Sequence, residues 1–195
     1  MIRIILVLVG FLIFGNTLAQ GITGSQLLEK AIAHHDPNNN WKNFKGKLFI
    51  TMEIPDGSNR VSEVTMNLPA QFFKLIWQKD ANSVTQMVEK DSCSISLNGT
   101  SEISEEKIKE LRLTCDRTKT MRDYYTYLYG LPMKLKDPGT IIDPTVQKKV
   151  FKGKEYLVLK VNYQEPVGGD TWYFYFDPNT YAMEVYQFFH DESKN

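Results

Sequence analysis

Apolar and polar positions divide the chain into a helix, a run of short strands, a second helical stretch and a closing set of strands. The clearest pattern is Asp170–Phe189, DTWYFYFDPNTYAMEVYQFF, where Trp172, Phe174 and Phe176 alternate with Tyr173 and Tyr175. That period of two is the signature of a strand. Asp177-Pro178-Asn179-Thr180 is a turn cluster, and beyond it Met183 and Val185 alternate with Tyr186 and Phe188. The segment predicts a β-hairpin. With few charges on either face, it is expected inside a sheet covered on both sides.

The remaining elements follow from the same two periods. Ser25–His35 carries Leu27, Leu28, Ala31 and Ile32 on one stripe, which predicts an amphipathic helix with Ser25 as N-cap, ended by Asp36-Pro37. Five strands are predicted next, over Gly46–Ile54, Val61–Leu68, Phe72–Trp77, Val84–Glu89 and Ser92–Leu97. Short polar connections join them, so antiparallel pairing is expected. Ser104–Leu113 reads as a helix capped by Ser104 with two acids in its first turn, and Thr118–Tyr129 as another stopped by Gly130. Leu131–Thr140 reads as a loop. Val146–Phe151 and Tyr156–Val161 then flank Lys152-Gly153-Lys154 as a hairpin. The order predicts an α+β domain built on a large antiparallel sheet.

The first residues change the picture of where the protein acts. Arg3 precedes the apolar run Ile4–Phe14, and Thr17-Leu18-Ala19 supplies small residues for a signal peptidase. Met1–Ala19 reads as a secretory signal peptide, with the apolar run too short to span about 30 Å of hydrocarbon as an anchor. The expectation is a periplasmic or secreted protein: residues 20–195 as one domain, with no transmembrane segment after signal removal. Twenty-three basic residues balance 23 acidic ones, which leaves no electrostatic footprint for nucleic acid.

Export also bears on the two cysteines, Cys93 and Cys115, which lie 22 residues apart. They read either as a disulfide or as two buried free thiols, and spacing does not choose. A bridge would close a loop worth roughly 3 kcal/mol.

Candidate chemistry is sparse. His34 and His35 are neighbours on a helix, so they point about 100° apart and share one ion poorly. There is no GxSxG elbow and no CxxC pair, and Gly168-Gly169-Asp170 is a lone turn. Asn98-Gly99-Thr100 matches a glycosylation acceptor, but its asparagine has a structural job in a turn. No cofactor, metal or catalytic activity is expected. What stands out is an aromatic content of 12 %. Tyr124–Tyr129 alone holds four tyrosines, which either line a pocket or pack a helix on the sheet.

The segments YYTYLYGLPMKLKDPGT and DTWYFYFDPNTYAMEVYQFFHDESKN resemble an uncharacterised family of exported bacterial proteins. The order of helix, meander, helices and FDPxT-type hairpin is similar to the LolA/LolB-like superfamily of lipoprotein carriers. The resemblance implies an incomplete β-barrel, a large curved antiparallel sheet covered by helices around a cavity for acyl chains. It brings no catalytic residues. This chain lacks the lipidation cysteine of the anchored relatives. It stops after a strand where those relatives continue, so the resemblance also implies a sheet lacking C-terminal strands. Under that reading the ligand-lining residues are Phe49, Phe72, Leu75, Trp77, Trp172, Phe174 and Tyr186. The expected function is a non-catalytic carrier or binding protein for an apolar ligand such as lipid or lipoprotein acyl chains. The alternative is a protein-interaction module with a filled core, using a sheet edge or Leu131–Thr140.

Overall fold

A computed structural model describes residues 21–165 and 167–192. The signal peptide expected over Met1–Ala19 lies outside the described residues. The first element, α1 (Gly24–His35), is capped by Thr23 rather than Ser25. Thr23 Oγ1 accepts from the Gln26 N–H at 3.3 Å, and Gln26 Oε1 accepts from the Thr23 N–H at 2.9 Å. This capping box satisfies two donors that the helix leaves open. Asp36 ends the helix, and its carboxylate takes the backbone N–H groups of Asn40 and Trp41 at 2.7 and 2.8 Å. Gly24 is where α1 meets the sheet beneath it: a Cβ there would lie 2.0 Å from the Asp143 carbonyl oxygen. No larger residue fits.

Five antiparallel strands follow in sequence order: β1 (Lys45–Met52), β2 (Arg60–Asn67), β3 (Phe72–Lys79), β4 (Asn82–Glu89) and β5 (Ser92–Leu97). Alternation decides their faces. Val64, Met66, Phe73, Leu75, Val84, Val88 and Leu97 are buried on the inner face, with Leu48 and Ile50 of β1 turned the same way. After α2 (Glu105–Leu111), α3 (Cys115–Tyr129) lies over this face. Its attachment points walk across the strands. Cys115 is joined to Cys93 of β5 by a disulfide with Cα atoms 5.9 Å apart. Thr118 Oγ1 accepts from Gln86 Nε2 of β4 at 3.0 Å, and the Tyr125 ring stacks on Phe73 of β3 at 6.1 Å. The buried Gln86 also accepts from Trp77 Nε1 at 3.2 Å, so this polar link is satisfied at both ends.

The second half forms its own antiparallel sheet: β6 (Thr140–Phe151), β7 (Lys154–Tyr163), β8 (Thr171–Phe176) and β9 (Met183–Phe189). Leu157, Leu159, Val161, Phe174 and Phe176 on its inner face pack under Leu27, Leu28 and Ala31 of α1. Leu131 and Leu135 complete this core, so Leu131–Thr140 is a packed segment holding a short 3-10 turn at Met133–Lys136 rather than an open loop. The fold is thus α+β with antiparallel strands. It differs from the single large sheet predicted, because β5 and β6 do not pair and the chain between them runs through the helices. There is no closed barrel among the described residues. No helix of the described residues is long and apolar enough to cross a membrane.

The β8–β9 hairpin departs from expectation in one respect. β8 is buried on both faces, but β9 is the edge strand and leaves Tyr186 44 % and Phe188 48 % exposed. Its turn runs to Ala182, held by Asp177 Oδ1 accepting from the Asn179 and Thr180 N–H groups at 2.9 Å.

Helix α1 reaches the start of β9 through one polar contact: the Met183 N–H donates to His35 Nε2 at 2.8 Å. Only a neutral imidazole accepts there. Burial first, and the adjacent His34 second, lower the His35 pKa from its usual value. The unfolded chain therefore takes up a proton at a pH where the folded protein still refuses it. The resulting stability is complete above about pH 6.5 and declines as pH falls below it. Urea midpoints between pH 7.5 and 5 should fall in the wild type and fall less in His35→Gln. Parallel profiles would show that the contact does not matter.

Candidate aromatic site

Strand alternation turns Trp172 of β8 toward the inner face, and the register sets it between Val161 of β7 and Phe188 of β9. Four rings surround it: Phe188 at 4.8 Å, Tyr127 at 5.6 Å, Tyr186 at 5.7 Å and Phe174 at 5.8 Å. Tyr127 comes from α3, whose turns place Tyr125 on the first sheet and Tyr127 toward the second. The helix packs between the two aromatic faces. Such clusters gain from offset and edge-to-face geometry beyond simple burial.

Beside Trp172 opens a cleft of about 300 Å³. Its apolar wall is Tyr127, Tyr163, Trp172 and Val167, and its rim carries Lys134, Asp137, Thr140 and Asp170. The hydroxyls of Tyr127 and Tyr163 are hydrogen-bonded to each other. Burial, then the bond to Tyr163, then the nearby Tyr186 push the Tyr127 phenol far above its usual pKa, so it stays neutral. Burial likewise raises Tyr163. At the rim Lys134 is paired with Asp137, and Asp170 meets His190 Nδ1 at 2.6 Å. The cleft is therefore a pocket with neutral aromatic walls, and its charged lining groups Lys134, Asp137 and Asp170 each have a partner. It offers stacking and apolar contact, and no nucleophile with an activating base. Among the described residues no cluster of His, Cys, Asp or Glu is arranged to hold a metal.

The residues expected to line a ligand site divide between distant places. Trp172 lines the cleft, with Phe174 and Tyr186 against its ring. Phe174 itself is core, fully buried under α1. Phe49 is 77 % exposed on the outer face of β1, away from any interior. Its neighbours Leu48 and Ile50 take the inward positions. Leu75 is buried beneath α3, and Trp77 packs between the two inner clusters of the first sheet. Phe72 borders a separate depression of about 200 Å³ beside Arg122 and Thr126. These four do not meet Trp172.

Parts of the cleft carried a signal in the sequence, and Trp172 was already among the expected liners. The density of tyrosines marked Tyr127, and Leu131–Thr140 marked the neighbourhood of Lys134 and Asp137. Tyr163 carried none, since it ends a strand next to polar residues and becomes a wall only through the fold. The second sheet's other face is structural: Tyr156, Tyr173 and Tyr175 hand their hydroxyls to Glu184, Glu192 and Gln187.

No curated protein and no solved structure matches the chain. A profile described as a family of unknown function, DUF6503, matches residues 2–195, and with nearly its whole length covered the chain belongs to that family.

Proposed function

We propose that the protein is an exported, non-catalytic binding or carrier protein for an apolar ligand, with a carrier architecture of the LolA type. The Trp172 cleft is its entry site. The observation that carries this reading is the cleft itself: about 300 Å³, walled by the aromatic rings of Tyr127, Tyr163 and Trp172, with its charged lining residues Lys134 and Asp137 paired to each other. That volume lies at the small end of ligand sites, enough for part of an acyl chain or one ring system. Export follows from the signal-peptide pattern of Met1–Ala19, and the disulfide is at home in an oxidising compartment.

The test is titration with a fluorescent acyl probe. Gly168 lines the cleft, and the atoms nearest to a Cβ there would be those of the Tyr163 side chain at 3.6 and 3.7 Å, ordinary contact. Gly168→Leu therefore fills the mouth without removing a core ring. Saturable binding weakened about tenfold or more in that variant is expected. A second reading, a protein-interaction module, draws on the packed inner faces and on Tyr186 and Phe188 exposed along β9. Absence of any probe uptake would favour it.

A further inference from the structure

Strand β2 opens with Arg60. No ion pair among the described residues includes it. Among the described residues its guanidinium donates from Nη2 to the Tyr125 hydroxyl at 3.4 Å. Arg60 Nε is buried without a protein partner, and Ser62 Oγ is buried beside the Tyr125 hydroxyl. Ser62, two positions along the same face of β2, is only 2 % exposed. The Tyr125 phenol is raised chiefly by burial, while the charge of Arg60 and side-chain hydrogen bonding by Arg60 and Ser62 lower it, so the three groups converge. Each can donate a hydrogen bond. A buried guanidinium edge without an acceptor is costly, and an oxyanion is the group that accepts from all three.

The surface around these groups is exposed. Arg60 itself is only partly buried, and residues 53–59 leading into it are exposed save for Ile54. On the other side the Tyr125 ring stacks on Tyr129 at 6.2 Å, and Tyr129 is 43 % exposed. Tyr186, near enough to act on both Tyr127 and Tyr129, continues the aromatic surface to Trp172.

We infer that Arg60, Ser62 and Tyr125 form an anion site for the carboxylate or phosphate head of an amphiphile whose apolar part lies along Tyr129, Tyr186 and Trp172. The ligand class thus narrows to single-headed anionic amphiphiles. The tail's placement rests on the carrier reading, and the anion site does not.

Calorimetric titration with dodecanoate, dodecyl phosphate and dodecanol tests both parts. At least one anion should bind about tenfold or more tightly than the alcohol, and the tighter of the two identifies the head. Arg60→Met should remove that preference and leave dodecanol binding unchanged. Ser62→Ala, which keeps the guanidinium, should weaken it in part. Equal binding of acid and alcohol, or a preference that survives Arg60→Met, overturns the inference. Should none of the three bind, the carrier reading fails, and acetate and inorganic phosphate titrated into ¹⁵N-labelled protein decide the anion site alone. A saturable shift of the Arg60 Nε–H supports it. No shift overturns it.

Discussion

Replacing Phe174 with alanine is expected to lower the free energy of unfolding by about 3–5 kcal/mol. The ring is fully buried at the centre of the second sheet's core. It lies opposite Leu159 on β7 and Tyr186 on β9, and it stacks on Trp172 at 5.8 Å. The α1 leucines cover it from above. Nothing nearby can collapse into the space, since α1 is pinned by Gly24 against the Asp143 backbone and the strands are held by their ladder. The lost transfer energy and the cavity therefore add. Urea denaturation should show a lower midpoint with the slope unchanged. Phe49→Ala, at an exposed position, should move it by no more than about 0.5 kcal/mol. Similar effects at both sites would contradict the core described here.

Removing the disulfide should be nearly as costly. Cys93 and Cys115 close a loop of sequence separation 22, and its release returns roughly 3 kcal/mol of chain entropy to the unfolded state. The structural consequence is local. Cys115 is the first residue of α3, and the next tie to the sheet is the Gln86–Thr118 hydrogen bond. In the Cys93→Ser/Cys115→Ser protein, amides at the start of α3 should exchange faster than those near Tyr125, where the helix stacks on Phe73. Urea curves of the two proteins measure the total. A loss under about 1 kcal/mol would mean that packing alone holds the helix.

Much of the fold was legible because local patterns are strong where one face is buried. Strand β5 was read with the ends it has, since Cys93, Ile95 and Leu97 alternate with serines. Ser104 was read as the cap of α2 because its acids follow at once. The errors have physical causes. Thr23, not Ser25, caps α1, because the reciprocal bond with Gln26 outweighs an isolated serine. The first residues of β6 were missed: the register shifts between Ile142 and Val146, and Pro144 sits in that irregularity. That the strands divide into two sheets is a property of which edges meet, and no local period encodes it.

The candidate site was legible in smaller part. Alternation put Trp172 and Phe174 on one face of their strand, and the carrier resemblance joined Tyr186 to them. It could not say that Phe174 would be sealed by α1 while Tyr186 stayed open. Aromatic character drew Phe49 into the set, although its inward neighbours Leu48 and Ile50 oblige it to face out. Arg60 and Ser62 gave no signal, because an arginine opening a strand is ordinary until its partners are known to be missing.

The central claim is that the Trp172 cleft takes up an apolar ligand. Acyl-probe titration of the wild-type protein and Gly168→Leu, after organic extraction has removed any ligand carried through purification, tests it most directly. Saturable binding to the wild type, weakened about tenfold or more by filling the cleft, is the expected result. Equal binding to both proteins, or none to either, would contradict it.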